Sequence, residues 1–257
     1  MHILALYNIK GGVGKTAAAV NLAYLAARES LHTLLCDLDP QGSATYYFRI
    51  QPPKKLKAKK LAKGGKALDK NIKETDYENL HLLPADLSYR SLDIIFNDLK
   101  HSKRRLRDIL TPLEEEYDLI ILDCPPNLTL ESENVFRAAD IILVPFVPTT
   151  LSHVGLQKID EFMQKKEIDT SRVYAFFSMV EMRKKMHKEM MEKMSTENNH
   201  FLQVRIPYTA DVEKMGVTRK PLVANRPKAK ASVAFKELWN ATKNLFTDLK
   251  TTDAYTV

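Results

Sequence analysis

The chain has 257 residues, 44% of them hydrophobic, a formal net charge of +7 and two cysteines. No apolar run approaches the ~20 residues of a membrane-spanning helix. Two cysteines without a C-x-x-C pair argue against an iron–sulfur carrier, and a strand that begins at residue 2 leaves no room for a signal peptide, so a cytoplasmic location is expected.

The apolar run Ile3-Leu4-Ala5-Leu6-Tyr7 predicts a buried strand over His2–Tyr7. Directly after it comes Lys10-Gly11-Gly12-Val13-Gly14-Lys15-Thr16. The ordinary phosphate loop reads G-x-x-x-x-G-K-[ST]: backbone N–H groups surround the phosphates, a lysine meets the β/γ oxygens and a hydroxyl meets Mg²⁺. Here Ile9 stands where the first glycine should be, and Lys10 follows it. A second lysine cannot easily share the pocket that Lys15 fills, so Lys10 suggests a cation aimed at another molecule's nucleotide. The apolar positions from Val20 to Ala26 predict a helix over Lys15–Glu29. Strand, glycine loop and helix N-terminus together point orphan N–H groups and a helix dipole at an anion.

A strand over His32–Asp37 runs into Asp37-Leu38-Asp39-Pro40-Gln41-Gly42, and one over Leu119–Asp123 runs into Cys124-Pro125-Pro126. In an open parallel sheet, ligands sit beyond the carboxyl ends of the strands, so these tips and the loop should share one crevice. Asp123 is then placed to hold Mg²⁺ through water, and Asp39 to orient or deprotonate the attacking water. Cys36 and Cys124 read as core thiols of a reducing compartment.

Lys54 to Lys73 holds nine lysines and one acid, a net +8, so the rest of the chain sums to −1. Pro52-Pro53 and Gly64-Gly65 predict a Lys-rich insertion, about 51–76, that starts as a linker or mobile loop. Lys55, Lys59, Lys63 and Lys66 could also line one face of a short helix. The stretch is either an electrostatic contact for nucleic-acid phosphates or a solvated surface insertion.

Further strands are predicted at Leu80–Leu83, Ile141–Pro145, Val173–Phe177 and Leu202–Ile206. Helices are predicted at Leu87–Lys100, Leu130–Ala138, Val154–Lys165, Arg183–Ser195 and Val233–Leu249. Alternating elements with near-continuous apolar strands imply an α/β fold, a mainly parallel twisted sheet with helices on both faces. No boundary justifies a second domain, so residues 1–257 are read as one. Met182, Met186, Met190 and Met194 recur every four residues; a core stripe is the preferred reading over a pliable partner-binding face. Phe235, Leu238, Trp239, Thr242, Leu245, Phe246 and Leu249 fall at helical spacing. Glu237, Asp248 and the uncharged Tyr255-Thr256-Val257 tail favour docking against the domain over a membrane-surface helix.

KGGVGKT, DLDPQG and LIILDCPP, in that order and at that spacing, resemble the ParA/Soj group of deviant Walker ATPases, P-loop NTPases of the SIMIBI class. Weaker counterparts run through Asn79–Asp86, Ala139–Pro145, Ile206-Pro207 and Lys220-Pro221-Leu222. The resemblance implies a nucleotide-sandwich homodimer in which Lys10 reaches the partner's ATP. Lys15 and Thr16, with Gly11, Gly12, Val13, Gly14 and Ala17, would hold phosphate and Mg²⁺ in the same subunit. Backbone near Pro207 would take the base and favour adenine. It also implies nonspecific binding of double-stranded DNA in the ATP state. Arg183 matches one basic position of that footprint, while Asp211 falls on another with the wrong sign. Lys184, Lys185, Lys188, Lys214, Arg219 and Lys220 are nearby substitutes.

The leading expectation is an ATP-dependent switch ATPase, nucleoid-associated and slow until a ParB-like or cargo-adaptor protein stimulates it, with no integral membrane association. Its cargo would be a plasmid, a chromosome or a protein assembly. The alternatives are a MinD-like spatial regulator at a membrane and a metabolic or redox enzyme on the same scaffold. Missing cysteine ligands argue against the redox branch, and DLDPQG favours partition over synthesis.

Overall fold

In the computed structural model, which describes residues 1–52, 57–99 and 101–254, the first strand already shows the logic of the fold. In β1 (His2–Leu6), Ile3 and Ala5 enter one apolar layer while Leu4 and Leu6 enter another, all fully buried. A strand covered on both faces reads as a continuous apolar run, which is what a parallel sheet requires.

The remaining strands are β2 (Thr33–Asp37), β3 (Lys73–Glu74), β4 (Leu80–Leu83), β5 (Leu119–Asp123), β6 (Ile141–Phe146), β7 (Val173–Val180) and β8 (Phe201–Pro207). They form an eight-stranded sheet in the order β3-β4-β2-β5-β1-β6-β7-β8. Every neighbouring pair is parallel except β3 and β4. The central register sets Asp123 beside both Leu6 and Asp37, so three strand tips meet at one point.

The helices begin with α1 (Lys15–Arg28), α2 (Ser43–Tyr47), α3 (Ala58–Lys63), α4 (Lys66–Asp69), α5 (Leu92–Asn97) and α6 (Arg105–Leu110). They continue with α7 (Leu130–Ala138), α8 (Thr150–Lys165), α9 (Lys185–Glu197), α10 (Ala210–Glu213), α11 (Met215–Thr218), α12 (Leu222–Asn225) and α13 (Lys230–Ala254). Residues of α1, α2 and α11 to α13 pack in the layer of Leu4 and Leu6. Those of α3 and α5 to α9 pack in the layer of Ile3 and Ala5. Helix α13 docks by Phe235, Leu238, Trp239 and Phe246, all buried, against α1 and β8. Burying each such side chain contributes about 1.5–3 kcal/mol, enough to hold the helix on the sheet. This agrees with the docking expectation, although Tyr255-Thr256-Val257 lies outside the described residues.

Two expectations change and one is sharpened. The Lys-rich segment, expected to start as a linker or loop and open to a short helix with lysines on one face, folds from Ala58 into α3, α4 and the edge strand β3, because Ala58, Leu61, Ala62 and Leu68 form a buried apolar side hidden among lysines. Pro53, Lys54 and Lys55 lie outside the described residues. The helix expected over Leu87–Lys100 is a 3-10 turn over Leu87–Ser91 followed by the shorter α5; the Asp86 side chain caps the turn by accepting from Ser88 N at 2.9 Å.

The methionine stripe is not a continuous core stripe. Met182 and Met186 are each 48% exposed, and the inward side of α9 is His187, Met191 and Met194. Met182 lies in the turn before α9, and from Met186 to Met194 a four-residue repeat drifts around a helix of 3.6 residues per turn, passing from solvent to core. Helix α9 also starts at Lys185, leaving Arg183 in the preceding turn.

Candidate nucleotide and metal site

Helix α1 opens at Gly14 without a side-chain cap and with no acidic residue in its first turn. Its first N–H groups are therefore left for an external anion. Gly14 has φ +96°, and a Cβ there would sit 2.9 Å from Ser178 Oγ, which itself donates to Val13 O at 2.8 Å. Any other residue would be strained at this φ and would push the Ser178 hydroxyl off Val13 O.

Below the loop lie the buried charges. Lys15 is 7% exposed, and its Nζ donates to Lys10 O at 2.9 Å. Burial pulls its pKa down, while Asp123 and Asp39 favour the charged form. Asp123 is fully buried, and neither carboxylate oxygen has a hydrogen-bond partner. Burial pushes its pKa up and Asp37 adds to this, against the Thr16 hydroxyl and the Lys15 ammonium. Asp37 Oδ2 accepts from both N and Oγ1 of Thr45 at 2.7 Å, but Oδ1 is unpartnered. Three orphaned carboxylate oxygens beside a threonine hydroxyl fit a small hard cation that keeps most of its waters and is completed by substrate phosphates. No cluster of three or more His, Cys, Asp or Glu suited to a metal occurs among the described residues.

A cleft of about 660 Å³ opens above these groups, lined by Gly11, Gly12, Gly14, Lys15, Thr16, Ala17 and Asp39. Asp39 sits on a turn in which its Oδ1 accepts from Gln41 N and its carbonyl from Gly42 N. A second cavity of about 170 Å³ shares Gly12, Gly14, Ala17 and Tyr47 with the cleft and is walled by Phe176, Ile206, Pro207 and Tyr208. The two cavities therefore join at the loop, the second smaller, more enclosed and more apolar than the first.

Lys10 behaves differently from Lys15. It does not line the cleft. Its stem passes α8 at Gly155, where a Cβ would lie 3.8 Å from Lys10 Cε and 3.6 Å from Ile9. The same end of α8 exposes Leu151, at 70%, and Val154.

The cleft also contains groups that the sequence reading did not single out: Arg90, Asp93, Asn127 and Glu131. Asp93 Oδ1 accepts from Glu131 N and Thr129 Oγ1, both at 2.7 Å, and so caps α7. Glu131 is buried with Oε1 unpartnered, and burial together with Asp93 raises its pKa up to about 8. An acid in the first turn of a helix is too common to mark a site, so nothing in the sequence distinguishes Glu131. Cys36 and Cys124 are both buried and free, as expected.

The basic positions gather beyond the tips of β7 and β8. Arg183 is 86% exposed but bonds Glu181 at 2.9 Å, and Lys184 pairs with the other oxygen of the same carboxylate. Lys214 and Lys220 are exposed. Arg219 is tied inward: its Nε donates to Tyr46 O at 2.9 Å and its guanidinium lies over the Tyr46 ring. Asp211 is paired with Arg226, which cancels much of its charge.

The AAA_31 family model, described as an AAA domain, matches residues 1–175. The chain belongs to the ParA/Soj/MinD family of ATPases. Among ParA relatives, the virulence plasmid ParA family protein pGP5-D of Chlamydia psittaci is 29% identical, over 97% of this chain and 98% of that one. The fold is shared with cobyrinic acid a,c-diamide synthase of Mycobacterium smegmatis, solved with an ATP analogue and magnesium (TM-score 0.80, 23% identity, 96% of each chain). It is shared too with a putative plasmid partition protein of Borrelia burgdorferi bound to AMPPNP (TM-score 0.78, 22% identity, 96% of this chain and 98% of that one). No helix among the described residues of this ParA-family chain is long and apolar enough to cross a membrane.

Proposed function

We propose that this ParA-family ATPase is a switch that dimerises around ATP, grips nonspecific duplex DNA in that state, and positions a DNA or protein cargo. The observation that carries the reading is the division of labour between two lysines. Lys15 is buried under the loop, whereas Lys10 stands outside its own cleft on a rim with exposed Leu151 and Val154. A cation held there is suited to a nucleotide presented by a facing copy.

In this reading Gly11 to Ala17 and Lys15 bind the phosphates, and the cavity at Pro207 takes adenine. Thr16 and, through water, Asp123 would hold Mg²⁺, which when bound neutralises charge developing on the γ-phosphate. Asp39 orients the attacking water. Lys10 of one subunit stabilises the transferring phosphoryl group of the other, the role an arginine finger plays elsewhere. Basal hydrolysis is slow because a partner must complete the water geometry.

Relatives named for chromosome partitioning and for a virulence plasmid support the cargo reading. The likeness to a synthase rests on the shared fold and adds no second chemistry. A bilayer-bound role is less well supported, since the apolar side of α13 is spent on α1 and β8.

Retention of duplex DNA with no nucleotide, ADP and ATP tests the proposal. An ATP-dependent increment that Lys10→Ala removes is expected. Equal retention with ADP and ATP would overturn it.

A further inference from the structure

The charge of this protein is concentrated in two segments that the fold brings together. Lys54–Lys73 carries nine lysines and one acid; Lys100–Arg107 adds five cations and no acid. Since the whole chain is +7, all other residues together sum to −6. The net positive charge therefore comes from these two segments of a chain that is otherwise mildly acidic.

Arg105 joins the two segments. Its Nε donates to Ala62 O at 2.7 Å and its NH2 to Lys63 O at 2.9 Å, so the end of α3 is clamped to the start of α6. Ala58, Leu61 and Ala62 face the core, and Lys57, Lys59 and Lys63 are exposed with Lys60 half-buried. Lys103 and Arg104 are exposed on the adjoining turn. None of these six cations makes an ion pair among the described residues. Arg183 and Lys184, by contrast, share Glu181.

We infer that Lys57, Lys59, Lys60, Lys63, Lys103 and Arg104 form a standing platform for the phosphate backbone of double-stranded DNA, one that needs no nucleotide. Unpaired surface cations on a folded support release counterions when they meet a duplex, and lysine, a point charge on a flexible stem, suits backbone contact more than base reading. A bilayer surface fits less well, because the apolar residues of α3 are all turned inward and leave nothing to insert.

The platform is separate from the basic positions beyond β7. Helix α3 packs on the 3-10 turn that follows β4, with Ala58 N donating to Ser88 Oγ at 2.7 Å. β4 and β7 lie five strand spacings apart, roughly 24 Å. The turn and α5 beneath α3 also carry Arg90 and Asp93 to the nucleotide cleft, but none of the six cations lines that cleft, and the platform is held by helix packing and the Arg105 clamp. Binding there is therefore constitutive, and the ATP-gated contact proposed above would add to it.

The test is anisotropy of a labelled random duplex with the full chain, without nucleotide, across about 50–200 mM salt. Wild type should bind with a log–log slope near −4 or steeper. K57Q/K59Q/K60Q/K63Q should lower the slope magnitude by about 3.6 and weaken binding at 0.1 M salt more than tenfold. K103Q/R104Q should act in the same direction, while R183Q/K184Q should leave nucleotide-free binding intact. Unchanged circular dichroism and basal ATP hydrolysis in the quadruple variant keep folding out of the result. Absence of nucleotide-free binding at 50 mM salt, an unchanged slope in the quadruple variant, or tighter binding to phosphatidylserine vesicles than to duplex would overturn the inference. Nucleotide-free binding without any ATP increment would support the platform and count against the ATP-gated reading alone.

Discussion

The centre of the sheet and its β7–β8 edge treat charge in opposite ways. At the centre, Asp37, Asp123 and Glu131 are buried with carboxylate oxygens left unpartnered, around a buried Lys15. At the edge, Glu181 takes both Arg183 and Lys184, and Arg226 takes Asp211. An unpaired buried oxygen costs about 1–3 kcal/mol, more if charged, so three such residues in the wall and floor beneath one cleft make a fold that is more stable with something bound. The edge carries no such debt. Its charges are solvated or paired, and a contact there is won by releasing counterions.

The sharpest way to break this contrast is at Lys15. Lys15→Ala removes the ammonium buried beneath the loop, and phosphate release should fall by about 10²–10³-fold or more; a smaller loss would move the chemistry elsewhere. Asp39→Ala comes next. Turnover should drop to near background while ATP-dependent assembly persists, and wild-type hydrolysis by this variant would remove Asp39 from the mechanism. Gly14→Ala forces a Cβ toward Ser178 Oγ at positive φ. A destabilisation of about 1–3 kcal/mol is expected in denaturant melts. If Gly14→Ala is neutral, the loop is not held as tightly to β7 as its contacts indicate.

The pH dependence of the centre has a definite sign. Burial raises Glu131 from 4.5 to about 8, so the folded chain retains a proton that the unfolded chain releases above 4.5. Stability from this group is full below 4.5 and is lost as pH rises to about 8, at up to about 1.4 kcal/mol per pH unit. Glu131→Gln should flatten that slope in urea melts between pH 5 and 8; parallel curves would contradict it. The smallest expected effect is at the edge. Arg183→Gln should reduce the salt slope of ATP-state DNA retention by about one, and no change at all would drop it from the footprint.

The central half of this comparison was legible in the sequence, because glycine loops and strand-end aspartates are local patterns with fixed spacing. KGGVGKT, DLDPQG and LDCPP lie where strand tips converge, and the alternating elements fix a parallel sheet. The rest depends on tertiary contacts. Asp37 looks like any strand-end acid until Thr45, eight residues later, is seen to bond it. Glu131 becomes unusual only because α5 and its Asp93 close over it. Helix α3 was obscured by lysines that face water while Ala58, Leu61 and Ala62 face the core. The methionine repeat misled for a geometric reason, since a period of four drifts off a single helix face. Asp211, an acid on a position where the resemblance implies a base, is paired with Arg226, fifteen residues on, which no local pattern announces.

The central claim is that ATP closes two copies on each other through Lys10. Molar mass by light scattering, with the hydrolysis-blocked Asp39→Ala protein, tests it most directly. The 29.4 kDa chain should double in mass with ATP and Mg²⁺ and remain single with ADP. Adding Lys10→Ala should return it to the monomer mass in ATP. A monomer under all conditions, or a dimer indifferent to both ATP and Lys10, would contradict the account.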